Sequence, residues 1–418
     1  MIATAPFRAR RMLPAFGVIL LGACAPPMRA QQAAPAAAGV VPGIEVLLRD
    51  SLSLLRGKRV GLITNQSGRD RQGRSDIDLL YHAPGVKLVA LFAPEHGIRG
   101  TAEAGARIAS DTDAATGVPI YSLYGAVRAP TPAMLDGVDV LVYDIQDAGA
   151  RFYTFVWTMA LSADAAGRAH EPFVVLDRPD PIRGDRVEGG VLDPAYRSFV
   201  GEYPVALRYG LTPGELLRYL AGTGQVHADV HVIPMDGWRR SMWYDETGIP
   251  WVQPSPNLRS MDALVLYPGL VFFEGTNLSE GRGTEAPFQL VGAGWLTDAG
   301  AIARELNGMH LGGVRFDSTS RTIAAGQKWG GRAIPMLHVS VTDRDLVQPV
   351  KVAAYMLQVI RRAHPSEFRW ALPHMDELAG SDVLRKAIDA GTVAGLLPRL
   401  DAQSRAFRRD AAKYRLYR

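Results

Sequence analysis

The chain has 418 residues, of which 47% are apolar and 21% charged, and its formal net charge is +4. This length suffices for a large core and two domains, and the composition excludes a disordered chain. Three N-terminal arginines, Arg8, Arg10 and Arg11, account for most of the charge, and the remainder carries +1. No basic run with interleaved aromatic residues follows, so the charge pattern argues against nucleic-acid binding.

The first 23 residues have the organisation of a targeting signal. A positive segment, FRARRM, precedes an apolar core, LPAFGVILLGA, that is too short to span a membrane. The core ends in LGAC, which resembles the lipobox of bacterial lipoproteins, and Cys24 is the only cysteine in the chain. We therefore expect a lipoprotein signal peptide over 1–23, export to the periplasm, and lipidation of Cys24. An ordinary secretory signal cut nearby is the alternative.

A lipid on Cys24 would anchor the protein to a membrane, such as the outer membrane, without a spanning helix. The residues that follow are mostly alanine, glutamine and proline. This composition predicts a flexible tether over 24–42.

From Lys58 onward, short apolar runs rich in β-branched residues alternate with longer polar stretches. Four of the runs indicate buried strands, namely KRVGLIT, VKLVALF, VDVLVYDI and PFVVLD. Continuous apolar strands, separated by enough residues for a helix or long loop, predict a parallel sheet with helices on both faces. The segment 154–169 predicts a crossover helix of this α/β fold. The segment TPGELLRYLAG predicts another helix, with Thr212 as N-cap and Glu215 completing a capping box.

The rest of the chain divides into loop-dense and regular parts. Residues 181–211 and 254–288 contain many loop signals, and helix and strand patterns alternate after them. We place a domain boundary shortly after residue 211, which gives a first domain over 43–215 and a second over 216–418.

Polar clusters follow all four predicted strands. They are NQSG, PEHGIRG, QDAGARFYT and RPDPIRG. Ligands of open parallel sheets bind beyond the carboxyl ends of the strands, so we expect these loops to converge on one site. Glu95 and His96 lie in the second cluster, directly after a strand.

The sequence lacks the motifs of several familiar catalytic and cofactor-binding sites. The sequence has no G-x-G-x-x-G after the first strand, no Walker loop, no G-x-S-x-G elbow and no H-E-x-x-H. The histidines are scattered and lack the spacing of metal ligands. We therefore predict that the protein uses no cofactor and no catalytic metal.

The loops do contain many carboxylates. Paired carboxylates catalyse glycoside hydrolysis, in which one acid donates a proton and a second group attacks, activates water or stabilises the cationic transition state. Any one loop acid is equally explained as a solvated side chain or as the partner of an arginine. The strand-end position gives Glu95 the strongest case, and His96 either polarises it or has a structural role. The loop acids are Glu95, Asp144, Asp147, Glu188, Glu202, Glu274, Glu280 and Glu285.

Arginines and aromatic residues recur in the same loops. A guanidinium grips a carboxylate through two hydrogen bonds, so the arginines would suit an anionic substrate. Aromatic rings could stack on a sugar, although a core position explains most of them. The residues concerned are Arg99, Arg151, Arg178, Arg282, Phe152, Tyr153, Phe272 and Phe273.

Together, the loops resemble those of the bacterial exo-β-N-acetylmuramidases of NamZ type. The resemblance extends in order from about Gly43 to the C-terminus. It implies a Rossmann-like domain, a smaller α+β auxiliary domain, and a site in the cleft between them. It also implies release of N-acetylmuramic acid from the non-reducing end of peptidoglycan fragments. The matching segments are GLITNQSG, LFAPEHGIRG, VYDIQDAGARFYTF, LDRPDPIRGDRVEGGVLD, SFVGEYPVALRYGLTPGEL, VGAGW and residues 254–288.

The resemblance implies that Glu95, in the P-E-H-G motif, is the catalytic acid, with His96 beside it. It fixes no second catalytic group, and we expect Glu280, followed by Glu285 and Asp144. Retaining, inverting and substrate-assisted mechanisms stay open. The expected substrate contacts are Asn65, Gln66, Arg99, Gln146, Asp147, Arg151, Tyr153, Arg178, Asn257, Asn277, Arg282 and Glu285.

A non-enzymatic alternative also fits the sequence. A periplasmic module that binds muropeptides, or anchors a partner enzyme, would use the same cleft and arginines without turnover.

Overall fold

The computed structural model describes residues 39–99 and 111–418. The predicted signal peptide, Cys24 and most of the predicted tether lie outside the described residues. Residues 39–42 are described, and Val40 among them is buried while the Val41 amide donates a hydrogen bond to the Asp236 carbonyl. Residues 40 and 41, which lie within the predicted tether, therefore pack against the rest of the described chain.

Twelve strands and eleven α-helices are assigned within the described ranges. The strands are β1 (Arg59–Thr64), β2 (Lys87–Ala93), β3 (Asp111–Thr112), β4 (Pro119–Ser122), β5 (Val140–Asp144), β6 (Phe173–Leu176), β7 (Glu188–Val191), β8 (Ala206–Arg208), β9 (Val230–Ile233), β10 (Leu290–Gly292), β11 (Val314–Thr322) and β12 (Ala333–Val341). The helices are α1 (Gly43–Val46), α2 (Asp76–Tyr81), α3 (Pro132–Leu135), α4 (Phe155–Arg168), α5 (Pro213–Gly222), α6 (Met261–Leu270), α7 (Ala299–Gly308), α8 (Pro349–Ala363), α9 (His374–Ala379), α10 (Val383–Asp389) and α11 (Val393–Asp410).

The largest sheet has seven strands in the order β3-β4-β2-β1-β5-β6-β9. All of its pairings are parallel except that of the edge strand β3 with β4. The four predicted strands correspond to β1, β2, β5 and β6, which confirms the α/β prediction. The seventh strand, β9, extends this sheet beyond residue 215, where we had placed the end of the first domain.

Helices cover both faces of this sheet, as alternation along β5 shows. Val140 and Val142 belong to a core cluster that includes Ile44 of α1 and Leu80 of α2. Leu141 and its neighbour Tyr143 belong to the other core cluster, which includes residues of α4. Successive strand residues point to opposite faces, so an unbroken apolar run is buried on both sides.

Two predicted helices are confirmed. The crossover helix is α4, and α5 starts with the predicted capping box, in which the Thr212 hydroxyl accepts from the Glu215 amide and the Glu215 carboxylate accepts from the Thr212 amide.

The second half of the chain contains a three-stranded antiparallel sheet, β10-β12-β11. Helix α7 packs on β11 and β12, and α8 packs on α6 and α7. This smaller α+β layer agrees with the predicted second part of the fold. Within the described residues, no helix is both long and apolar enough to cross a membrane.

The prediction that 254–288 is loop-dense is wrong in one part. Helix α6 occupies this stretch and is followed by a 3-10 helix, Val271–Gly275. The Ser260 hydroxyl caps α6 by accepting from the Ala263 amide, and 263–270 are all buried. A proline inside a helix costs about 3 kcal/mol, but burial of the apolar side chains around Pro268 offsets this cost.

The C-terminal residues return to the large sheet. The Tyr417 hydroxyl donates a 2.6 Å hydrogen bond to Asp177, just after β6, and the Leu416 amide donates to Glu215 at 2.8 Å. The Glu215 carboxylate also accepts from buried Arg240. Residues 416 and 417 are therefore fixed beside the end of β6 and the start of α5.

Candidate active site

A cavity of about 490 Å³ lies at the carboxyl edge of the large sheet. It is lined by the loops after β2 and β4, the start of α4, the α6 region and α9. Its volume is within the usual range for a small-molecule site. Its charged and hydroxyl-bearing lining includes Glu95, His96, Arg128, Thr154, Glu274, Arg282 and His374.

Glu95 and His96 lie in a tight turn where β2 ends. The Gly97 amide donates to the Pro94 carbonyl, and His96 adopts a left-handed backbone with φ of 70°. Such a φ is uncommon for a residue other than glycine, and it lets the chain turn sharply after the proline. The His96 ring is buried, edge-on to Phe155. The turn therefore brings both predicted side chains to the cavity.

A hydroxyl at the start of α4 holds Glu95. The Thr154 hydroxyl donates a 2.7 Å hydrogen bond to Oε2 of Glu95. Thr154 is the N-cap residue of α4, but its side chain bonds the carboxylate instead of capping the helix. The Glu95 side chain is half-buried. One carboxyl oxygen is thus fixed by the protein.

Aromatic rings form one wall. Tyr267 lies edge-on to Phe152 and Phe288, with centroids 5.0 and 4.8 Å apart. Tyr153 lines the cavity at 6% exposure, and its hydroxyl has no hydrogen-bond partner in the part of the chain that the structure describes. A buried hydroxyl of this kind is satisfied when a ligand or water supplies the missing bond. Tyr153 therefore stays a predicted substrate contact.

A second carboxylate, Glu274, faces the same cavity from the 3-10 helix after α6. Its Oε1 accepts a 2.6 Å hydrogen bond from Arg282, and His374 of α9 lies 3.7 Å from its Oε2. Burial opposes ionisation of Glu274, but attraction to Arg282, with the hydrogen bond from Arg282 and the nearby His374, lowers its pKa to about 2. The contact with Glu274 in turn raises the pKa of His374. Glu274 is therefore an anion at neutral pH.

Glu280, which we expected to be the second catalytic carboxylate, lies behind this group. It is 3% exposed and contacts Arg282 Nε at 3.1 Å and Lys328 Nζ at 3.2 Å. Lys328 also binds backbone carbonyls around Glu274, including that of Glu274 itself. Since Arg282 lies between the two glutamates, the structure gives Glu280 the position of a residue that orients Arg282, and it places Glu274 on the cavity wall.

The other two expected carboxylates lie elsewhere. Asp144 is fully buried and forms a bidentate ion pair with Arg178, with one of the two bonds 3.0 Å long. Glu285 is exposed and pairs with Arg321. The assignments of Asp144 to catalysis and of Arg178 to substrate binding need correction, because each charge neutralises the other inside the protein.

Two more predicted arginines have structural partners. Arg151 is fully buried and donates to the Leu378 carbonyl at 2.9 Å, near the end of α9. A cation at a helix C-terminus is favourable, so Arg151 helps to fix the helix that carries His374. Arg99 is exposed, pairs with Asp113, and lines a separate groove. Of the four predicted arginines, Arg282 is the one on the cavity wall.

The remaining residues that we predicted to contact the substrate form hydrogen bonds between loops around the site. Gln66 donates to the Gln253 carbonyl, Gln146 to the Pro179 carbonyl, and Asp147 accepts from Tyr209. These bonds tie the strand-end loops together, but among the described residues one polar atom in each of five of these side chains is buried without a hydrogen-bond partner, namely Asn65 Nδ2, Gln66 Oε1, Gln146 Oε1, Asp147 Oδ1 and Asn257 Nδ2. The residues in this group are Asn65, Gln66, Gln146, Asp147, Asn257 and Asn277.

Sequence reasoning left out several residues of the cavity. Glu274 was among the loop acids but was not chosen over Glu280. Thr154 and Tyr267 were assigned to helix and loop without a role, and His374, much later in the chain, has no local signal. The structure brings them together because the end of α6, the 3-10 helix after it and the start of α9 all line the cavity. Across residues 39–99 and 111–418, no cluster of His, Cys, Asp or Glu has the arrangement of a metal site.

The fold and the site define a class of protein. Two carboxyl groups face an aromatic-lined cavity beside the parallel sheet of an α/β fold. One of them accepts a hydrogen bond from a hydroxyl group, and an arginine keeps the other ionised. Glycoside hydrolases use such a pair of carboxyl groups.

Comparison with known proteins identifies the family. Models of the N-terminal and C-terminal domains of the exo-β-N-acetylmuramidase NamZ match residues 60–262 and 265–417. The peptidoglycan β-N-acetylmuramidase NamZ of Bacillus subtilis (strain 168) is 41% identical over 404 residues, which cover 96% of this chain and 97% of that protein. The chain belongs to the NamZ exo-β-N-acetylmuramidase family, which confirms the resemblance. The segments matched by the two models adjoin at 262–265.

Solved structures share the fold. Two crystal structures of DUF1343 family proteins from Bacteroides fragilis NCTC 9343 match 91% of this chain and 99% of their own. The first has a TM-score of 0.85 at 36% identity, and the second 0.73 at 28%.

Proposed function

We propose that this protein is an exo-acting glycoside hydrolase that releases N-acetylmuramic acid from the non-reducing end of peptidoglycan fragments during cell-wall turnover and recycling. The observation that carries the proposal is Glu95, which lies in the P-E-H-G motif, faces the cavity and accepts a hydrogen bond from Thr154. The 41% identity to a peptidoglycan β-N-acetylmuramidase supports the substrate class.

In this mechanism Glu95 is the proton donor. Its Oε2 accepts a hydrogen bond from Thr154, which orients the carboxyl group that carries the transferable proton. That proton goes to the glycosidic oxygen while the bond from this oxygen to the anomeric carbon of the muramic acid breaks. The departing sugar leaves as an alcohol, and Glu95 is left as a carboxylate. A water molecule then supplies the hydroxyl group of the freed anomeric carbon, and its remaining proton restores the acid form of Glu95.

Glu274 takes the second role in place of Glu280. The ionic bond to Arg282 keeps it negatively charged in the cavity. A fixed anion stabilises the positive charge that develops at the anomeric carbon, whether it acts on the sugar directly or through the 2-acetamido group of the substrate. Arg282 and His374 hold this carboxylate in its ionised form.

Hydrolysis of the disaccharide MurNAc–GlcNAc, followed by chromatography of the released N-acetylmuramic acid, tests the proposal. The wild type is expected to release the sugar, and Glu95→Gln is expected to lose about 10²–10⁴-fold in rate. Glu285→Gln, the same change at an exposed glutamate, is the matched control and should keep wild-type turnover. Binding of the disaccharide without hydrolysis by the wild type would favour the non-enzymatic module.

We also propose that the protein is exported and lipidated at Cys24, because the LGAC sequence follows a positive segment and an apolar core. Metabolic labelling with a fatty-acid analogue tests this. The wild type should be labelled and found with membranes, and Cys24→Ser should be unlabelled. Equal labelling of both would contradict the assignment.

A further inference from the structure

The rim of the cavity carries a stack of three side chains that the catalytic scheme does not use. Tyr124 and Arg128 come from the loop after β4, and Phe199 comes from the turn between Ser198 and Gly201. The Phe199 ring centroid lies 6.1 Å from that of Tyr124 and 4.5 Å from the guanidinium carbon of Arg128. A guanidinium held over an aromatic ring is pre-organised, so it loses less freedom when a ligand binds.

Two other basic side chains on the described part of the cavity wall are already paired with carboxylates. Arg282 lies 2.6 Å from Glu274 and 3.1 Å from Glu280. His374 lies 3.7 Å from Glu274 and 3.8 Å from Glu377. Their positive charges are therefore offset by protein carboxylates before any substrate arrives.

Arg128 differs in this respect. Its side chain is exposed at the rim, and among residues 39–99 and 111–418 no carboxylate lies within 4.0 Å of it. It therefore supplies positive charge that no described acid balances. Deeper in the cavity, the anion Glu274 would repel a negatively charged ligand group, whereas the rim attracts one.

We propose that Arg128, oriented by Phe199, binds the carboxylate of the substrate sugar and selects it over the uncharged sugar with the same ring. This inference rests on the proposed function, in which the sugar is N-acetylmuramic acid. That sugar differs from N-acetylglucosamine by a lactyl ether whose carboxylate is ionised at neutral pH. Arg128 thus takes the role that we had assigned to Arg99, Arg151, Arg178 and Arg282 from the sequence.

Calorimetric binding of the two free sugars tests this without any need for hydrolysis. The wild type should bind N-acetylmuramic acid more tightly than N-acetylglucosamine. Arg128→Gln should weaken the binding of N-acetylmuramic acid roughly 10- to 100-fold, as expected for a hydrogen-bonded charge pair. Binding of N-acetylglucosamine should stay within about twofold, since that sugar makes no such pair.

Two further variants complete the design. Arg332→Gln removes one exposed arginine from the hairpin that joins β11 to β12, so it is a control for net charge and should bind as the wild type does. Phe199→Leu keeps Arg128 but removes its aromatic support, and it should weaken N-acetylmuramic acid binding by a smaller factor than Arg128→Gln.

The outcomes separate this inference from the proposed function. If Arg128→Gln keeps the wild-type preference between the two sugars, or if the wild type has no preference, the inference is wrong, whatever the hydrolysis assay shows. If the preference depends on Arg128 while the wild type hydrolyses no muramic glycoside, the inference stands and the proposed function fails.

Discussion

The hydroxyl of Thr154 donates a 2.7 Å hydrogen bond to Oε2 of Glu95, so the start of α4 holds the carboxyl group that follows β2. This contact orients the proposed proton donor. Thr154→Val keeps the shape of the side chain and removes the donor. We expect kcat to fall about tenfold with little change in KM, because a hydrogen bond of this kind contributes about 1.5 kcal/mol. Steady-state kinetics on the disaccharide measures this, and an unchanged kcat would show that Thr154 has no orienting role.

Separate replacement of Glu274 and Glu280, the two glutamates beside Arg282, by glutamine decides which one is the second catalytic group. Glu274→Gln should reduce kcat by more than about 100-fold, since it removes the anion from the cavity wall. Glu280→Gln should reduce it less and should lower stability, because the charges of Arg282 and Lys328 then lose a buried partner. The two variants are compared by kcat and by thermal unfolding. A larger loss of kcat in Glu280→Gln than in Glu274→Gln would restore our first assignment.

The His374–Glu274 contact predicts a pH-dependent stability. The contact with Glu274 raises the pKa of His374 above its ordinary value of about 6.5. The protonated histidine therefore contributes its full stabilisation below about pH 6.5, and this contribution is lost as the pH rises through the folded-state pKa. Unfolding temperatures of the wild type and His374→Gln should differ more at about pH 5.5 than at about pH 8.5. A difference that is constant or grows with pH would contradict the ion pair.

The buried Asp144–Arg178 pair predicts loss of stability rather than loss of catalysis. Arg178→Met leaves Asp144 as a lone charge inside the protein and should cost about 3–5 kcal/mol in urea unfolding. Arg362→Met, which breaks the exposed pair with Glu305, is the matched control and should cost about 0–1 kcal/mol. If Arg178→Met were as stable as the wild type but bound substrate poorly, the arginine would belong to the binding site after all.

The hydrogen bonds of the Tyr417 hydroxyl predict that removal of this one group lowers the stability of the protein. Tyr417→Phe removes a donor from Asp177 and an acceptor from the Met235 amide, and should destabilise the protein by about 1–3 kcal/mol. Burial raises the pKa of Asp177 to about 7 against the opposing hydrogen bonds from Tyr417 and Thr212. Removing the Tyr417 bond should raise this pKa further. Tyr81→Phe, at an exposed tyrosine, should change neither stability nor the Asp177 titration.

The sequence predicted the parts of the fold that local patterns determine. The apolar runs of β1, β2, β5 and β6 and the capping box of α5 are local signals, and the strand-end rule brought Glu95 to the correct edge of the sheet. Helix α6 was missed because it is apolar on all sides and contains Pro268, so it lacks the alternation that distinguishes a surface helix.

The sequence does not show which charged side chains pair with each other. Asp144 and Arg178 both follow strands, as site residues do, but only their spatial contact shows that they neutralise each other. Glu274 and Glu280 are close in the sequence and similar in setting, and the choice between them depends on which side of Arg282 each one lies. These relations depend on tertiary packing, which periodicity does not encode.

The dependence of the Glu95→Gln defect on the leaving group tests proton donation by Glu95 most directly. The sugar leaving group of the disaccharide must be protonated as the bond breaks, whereas a nitrophenyl β-glycoside of N-acetylmuramic acid has a leaving group that departs with little protonation. We predict that Glu95→Gln lowers kcat/KM on MurNAc–GlcNAc at least about tenfold more than on the nitrophenyl glycoside. Equal losses on the two substrates, or wild-type hydrolysis of the disaccharide by Glu95→Gln, would contradict the role assigned to Glu95.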